Sequence, residues 1–322
     1  MANPQGGTLR VATASQSGGS NVLLYVGLSA LLVLTLIGLD ALLLVLNKPS
    51  LSKHHYFVAL GDSITFGFQP NTIIFDHDYA DDLFADLQVS GVTDEENLAC
   101  GGESTTTMIK GGCPFKLLRH FQYLGPQLDA AVNLLHAHPG QVSPVTLDIG
   151  ANDVLPDFDS TSCTVKSSAE AHLATLDTNL TQTILPRLLR EVTATQGQRA
   201  TDLVLLNYYN PFAIKCHDSA PFIHTFNDHL VADAAQFRIP VVDVYAAFGG
   251  DAQMANNLCT LTWICDASHP DIHPTNKGYQ VIADAVEQLL GYPTGGIPNP
   301  VPNFPVPVAP PPATETPGDA SG

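Results

Sequence analysis

The stretch Phe57–Gly67, FVALGDSITFG, sets the architecture of this chain. With Tyr56 in front of it, its start forms a short apolar run, Tyr56–Leu60, with the length and composition of a buried strand. Gly61 stops the run and lets the backbone turn sharply. Asp62 and Ser63 follow at once, so the serine is predicted at the carboxyl end of a strand, where open α/β sheets hold their ligands. A serine there becomes a nucleophile only with a base for its proton, a group to orient that base and donors for an oxyanion.

On either side of this stretch, apolar runs alternate with helical patterns. Strands are predicted at Tyr56–Leu60, Asn97–Ala99, Pro144–Ile149, Asp202–Leu206 and Pro240–Tyr245. Helices are predicted at Tyr79–Leu87, Pro126–His136, Ser168–Val192, Thr225–Ala235 and Asn276–Leu290. Such alternation implies βαβ units, a five-stranded parallel sheet and helices on both faces.

The ends of the predicted strands carry the polar residues of interest. Asn97 to Gly102, followed by Glu103 and Ser104, contains paired glycines that permit a tight turn and a close approach of backbone N–H groups to a ligand. Gly150-Ala151-Asn152-Asp153 offers an Asn side chain that can donate to a developing oxyanion, or cap a helix. Just before the last helix, Asp271-Ile272-His273-Pro274-Thr275 places a carboxylate two residues from a histidine, the pairing that holds a basic imidazole in one tautomer.

Taken together, these four segments resemble the blocks of the GDSL, or SGNH, hydrolase family. Gly61-Asp62-Ser63-Ile64 looks like the nucleophile block, and Asn97 to Gly102 is similar to the glycine block. Gly150-Ala151-Asn152-Asp153 matches G-x-N-D, and His273-Pro274-Thr275 with Gly278-Tyr279 is similar to the histidine block. They occur in the family's order and span about residues 55–292. The resemblance implies a flavodoxin-like three-layer α/β/α fold and ester hydrolysis without metal or cofactor. It implies Ser63 as nucleophile, His273 as general base, and an oxyanion hole made by the Ser63 N–H, the Gly102 N–H and the Asn152 side chain. The family's D-x-x-H is broken here, because Pro270 stands three residues before His273. Asp271 is the expected substitute, with a backbone carbonyl as the alternative orienter. A true D-x-x-H at Asp266-Ala267-Ser268-His269 lacks the T-x-x-G-Y continuation and is expected to be a decoy.

Composition bounds the compartment and the partners. The net charge of −18, from 31 acidic against 13 basic residues, disfavours nucleic acid, whose phosphates need clustered Lys and Arg. Residues 1–21 are expected to be a disordered tail. Residues 22–46 contain one charge, Asp40, and as a helix would span ~37 Å, enough to cross a bilayer. They are expected to be an uncleaved membrane anchor; secretion after signal cleavage is the alternative. After a linker at 47–54, the hydrolase-like domain is expected over 55–292, as a monomer. Residues 293–322 are expected to be a Pro-rich extended or disordered tail.

Lys48 and Lys53 behind the anchor, against Arg10 before it, would point the domain inward by the positive-inside rule. The six cysteines, Cys100, Cys113, Cys163, Cys216, Cys259 and Cys265, argue for an oxidised exterior. Each neighbouring pair closes a modest loop, so pairing in sequence order is expected, with reduced buried thiols as the alternative.

Other readings are weaker. His269 and His273 lie four apart, but Pro270 and Pro274 prevent one helix from presenting both to a metal. Asp76-His77-Asp78 has cation-binding residue types, and is expected to be a polar turn before a helix. Functional alternatives are a membrane-anchored binding module without catalysis and an O-acetyl esterase acting on polysaccharide. Aromatics near Phe66–Ile73 and Cys113–Tyr123 are candidates for an acyl site or for the core.

Overall fold

Strand β1 (Tyr56–Gly61), flanked on both sides in the sheet, is buried along all but its first residue, as the apolar run Phe57–Leu60 dictates. The computed structural model describes residues 54–72, 75, 77–193 and 201–291. Its other principal elements, in chain order, are α1 (Tyr79–Leu87), β2 (Asp94–Asn97), α2 (Thr105–Lys110), α3 (Gln127–Ala137), β3 (Val142–Asp148), α4 (Ala151–Val154), β4 (Phe158–Asp159) and β5 (Thr164–Val165). There follow α5 (Ala169–Asn179), α6 (Leu185–Val192), β6 (Leu203–Leu206), α7 (Ala220–Gln236), β7 (Val241–Val242), α8 (Val244–Ala247), α9 (Gly250–Leu261) and α10 (Asn276–Leu290).

Five strands form one parallel sheet in the order β2-β1-β3-β6-β7, and β4 with β5 makes a separate antiparallel pair. Right-handed crossovers fix which face each helix covers. The step from β1 to β2 runs one way across the sheet, and every later step runs the other way. α1 therefore lies on one face and α2, α3, α5, α6 and α7 on the opposite one. The packing agrees: α1 lies against α10, whereas α3 packs on α6 and α7 on α5. The strand order is the flavodoxin-like 2-1-3-4-5, with its switch point between β1 and β3.

Several boundaries differ from the sequence expectation, each for a local reason. β2 begins earlier than Asn97–Ala99, in the acidic Asp94–Glu96, because an edge strand tolerates charge. The expected apolar residues still follow β1, with Leu98 N donating to Ala59 O and Cys100 N to Gly61 O. The strand expected over Pro240–Tyr245 ends at Val242, because the Asp243 side chain accepts from Ala246 N and starts α8. The single helix expected over Ser168–Val192 contains a π-turn at Leu180–Ile184, just before Pro186, which has no N–H to give to the preceding turn. α7 starts at Ala220 rather than Thr225, with Pro221 in its first turn. α2, α4, α8, α9 and the β4–β5 pair were not expected; most are too short to show a period.

The six cysteines pair in sequence order, as Cys100–Cys113, Cys163–Cys216 and Cys259–Cys265. Among the described residues, no helix is long and apolar enough to cross a membrane. The expected tail at 1–21, anchor at 22–46 and Pro-rich tail at 293–322 lie outside the described residues, as does nearly all of the linker.

Candidate active site

Ser63 stands where β1 ends. Asp62 N donates to Asp148 O (3.1 Å) across the β1–β3 switch point, and Phe66 N returns to Asp62 O (3.0 Å) to close a tight turn. Gly61, at φ +155°, is required: a Cβ there would lie 2.3 Å from Asp148 O. Ser63 Oγ is 2.7 Å from His273 Nε2, although 210 residues separate them in sequence. Asp271 Oδ1 accepts from the other ring nitrogen, Nδ1 (2.5 Å), and from the backbone N–H of His273 (2.9 Å). With Nδ1–H committed to the carboxylate, Nε2 is left as the acceptor facing the serine hydroxyl.

The segment carrying the histidine is clamped from several sides. Trp263 N donates to His273 O (3.0 Å), Asp271 N to Trp263 O (3.2 Å), and Thr275 N to Leu261 O (2.9 Å). Cys259–Cys265 staples the end of α9 to the turn that makes these bonds. Tyr209 Oη donates to Ile272 O (2.6 Å), and the Phe68 ring packs 4.6 Å from the imidazole. Gly278 lets α10 approach α9 closely, since a Cβ would fall 2.0 Å from Leu261 O.

Facing Ser63 is the turn containing Gly101 and Gly102. Neither Ser63 N–H nor Gly102 N–H donates a hydrogen bond to any described residue, and both residues line the same cavity. Asn152, on the short α4, also lines it, and its Nδ2 donates to Glu103 O (2.9 Å), leaving a second N–H for a ligand. Asp153 fastens the same two segments, accepting from Thr105 N (2.8 Å) and Thr105 Oγ1 (2.6 Å). Gln127, buried at the start of α3, accepts from Gly61 N (2.8 Å) and donates to Gly61 O (2.9 Å) and Glu103 Oε2 (3.2 Å). Gln127 thus ties the end of β1 to the glycine turn.

The electrostatics beneath the serine are unusual. Asp62 and Asp148 are both buried. Burial, and the neighbouring Asp148 charge, push the Asp62 carboxyl well above the usual carboxylate range. Burial raises Asp148 to about 7. At neutral pH the pair therefore retains a proton, which keeps full negative charge away from the floor of the cavity. Asp271 behaves oppositely. Burial would raise it, but the hydrogen bond and charge of His273, with backbone N–H groups, outweigh this and hold it below its ordinary value.

Above the serine opens a cavity of about 450 Å³ whose walls are largely apolar, including Phe68, Phe115, Leu155, Tyr209, Phe212 and Ile272. Of the aromatics singled out in the sequence, Phe68 and Phe115 line it, whereas Phe66 belongs to the core. The D-x-x-H decoy is a separate exposed turn: Asp266 Oδ1 accepts from Ser268 N (2.9 Å) and His269 N (2.7 Å). Asp78, from the other weak cluster, caps α1 and accepts from Asn97 Nδ2 (2.8 Å); Asp76 lies outside the described residues. Gln127, Glu103 and Tyr209 had no local signal in the sequence. Only the partners of their polar atoms reveal them.

A GDSL-like lipase/acylhydrolase family model matches residues 59–281. Among solved structures, the chain is similar to a GDSL-like lipase from Parabacteroides merdae (18% identity, TM-score 0.48, 76% of this chain and 100% of that one). It is also similar to an acetylxylan esterase from Geobacillus stearothermophilus (17%, 0.48, 76% and 97%). A third similar structure is a phospholipase A1 from Streptomyces albidoflavus (17%, 0.43, 73% and 98%). Comparison with curated proteins finds no match. With more than half its length matched by that family model, the chain belongs to the GDSL-like lipase/acylhydrolase family and is a carboxylic ester hydrolase.

Proposed function

We propose that Ser63 attacks the ester carbonyl while His273 takes its proton, with Asp271 holding the imidazole in the required tautomer. The observation that carries this reading is the continuous line from Ser63 Oγ to His273 Nε2 and from Nδ1 to Asp271. The tetrahedral oxyanion is held by the Ser63 and Gly102 N–H groups and the free N–H of Asn152. The alcohol leaves with the proton that His273 carries. Water, activated by the same imidazole, then hydrolyses the acyl-enzyme.

The substrate is an ester with an acyl group longer than acetate. The apolar cavity, at about 450 Å³, falls in the ~300–1,000 Å³ range of small-molecule sites. Three disulfides support a domain working outside the cytoplasm, tethered by residues 22–46. Protease protection of membrane-bound protein tests that placement: digestion of the domain from the cytoplasmic side would overturn it.

The deciding assay takes the full chain, disulfides intact, on acetyl, butyryl and octanoyl p-nitrophenyl esters. Turnover is expected to be highest on butyryl or octanoyl ester and to be abolished in Ser63→Ala. Turnover of acetate alone would favour a polysaccharide deacetylase. No turnover by folded protein on any ester would favour a binding module.

A further inference from the structure

Residues 111–126, between α2 and α3, contain no helix or strand, and Cys100–Cys113 closes the base of this loop. Its polarity is inverted. Arg119 is turned inward, with its guanidinium 3.8 Å from the Tyr123 ring and Nη1 donating to Tyr123 O (3.2 Å). Tyr123 Oη donates to Leu98 O (2.9 Å), and His120 Nε2 lies 2.9 Å from Phe66 O. The polar side chains hold the loop in place while the apolar ones face water. Phe115, Leu117, Leu118, Phe121 and Leu124 are five of the nine large exposed apolar residues among those described, with Leu117 at 84% and Leu124 at 97% exposure. Soluble domains do not concentrate such side chains on one loop without a partner.

Charge identifies the partner. Residues 104–128 contain no Asp or Glu in a chain that carries 31, and they contain Lys110 and Lys116, both exposed. His120 and Phe121 share a cavity with Asp78, Asp81, Glu95 and Glu96, so the end of the loop at Phe115–Leu118, which carries Lys116, is the part that can approach anionic headgroups. A second copy of the chain, at −18, fits less well. The patch is also continuous with the cavity over Ser63, because Phe115 belongs to both, and the exposed Ile272 flanks that cavity beside His273. We propose that loop 111–126 docks on an anionic lipid surface, inserting Leu117 and its apolar neighbours between headgroups and setting the cavity mouth against the bilayer. The docking stands whether or not the ester reading holds.

All six cysteines are in disulfides, so one introduced cysteine provides a unique labelling thiol. The test places an NBD label on Leu117→Cys and, as a control, on Val89→Cys. Val89 is equally exposed but follows α1 at the opposite end of the sheet. The labelled full chain is reconstituted with vesicles of phosphatidylcholine and phosphatidylglycerol, three to one. The label at 117 is expected to shift to the blue and to be quenched by spin-labelled acyl chains, while the label at 89 stays as in water. Adding Lys110→Glu and Lys116→Glu should remove the shift at 117. A label at 117 that stays in water on vesicles overturns the proposal, even with the chain tethered. A blue shift without vesicles also overturns it: concentration-dependent, it means self-association; concentration-independent, coverage by another part of the chain.

Discussion

The most exacting position is Asp271. It reaches Nδ1 from two residues away, where the family's usual spacing would put Pro270. Asp271→Asn removes the charge and lets the amide favour the wrong imidazole tautomer. We expect kcat to fall by roughly 10²–10⁴ with little change in KM. Parental activity in that variant would mean that a backbone group, not the carboxylate, orients the imidazole. Asn152 makes a separate prediction, because one N–H is spent on Glu103 O and only the other is free for an oxyanion. Asn152→Ala should cost ~10²–10³ in kcat. A loss confined to KM would place the side chain in substrate binding instead. The sequence exposed these residues because each lies in a short motif at a strand end. It could not expose Gln127 or Tyr209, whose contacts reach 66 and 63 residues away and depend on how helices and loops return to the sheet.

Among the elements, the parallel strands were legible and α9 was not. Strand cores such as Phe57–Leu60 and Leu203–Leu206 are apolar runs that no other element explains. α9, GDAQMANNLCTL, opens with Gly and carries two Asn, so its sequence argues for a loop. Its place is secured by packing on α10 and by the Cys259–Cys265 staple at its end. In the proposed mechanism that staple positions the base through the backbone, since Leu261 and Trp263 hold the His273 segment. Replacing both cysteines with serine should lower stability by about 2 kcal/mol, as expected for so short a loop. kcat should fall as well, by about 10-fold or more, because small misplacements of a base are costly. Unchanged kcat with reduced stability would show that hydrogen bonds alone position the base.

Over the whole molecule, the acidity that excluded nucleic acid has a second consequence in the interior. Burial raises Asp148 to about 7, and Glu95 and Glu287 to about 8, with nearby acidic residues adding to the shift at both glutamates. In the unfolded chain these groups titrate near ~4. Between those values the folded protein binds more protons than the unfolded chain, so the stability these groups contribute is full below ~4 and is lost as pH rises toward 8. Melting followed by circular dichroism should give a higher Tm at pH 5.5 than at pH 8.5. Glu287→Gln, which fixes the buried group neutral, should reduce that difference while leaving ester turnover unchanged, since α10 holds it away from the cavity lining. A Tm that rises with pH across this range, or a slope untouched by Glu287→Gln, would mean that these carboxyls are ionised in the fold and paired by groups the packing does not show.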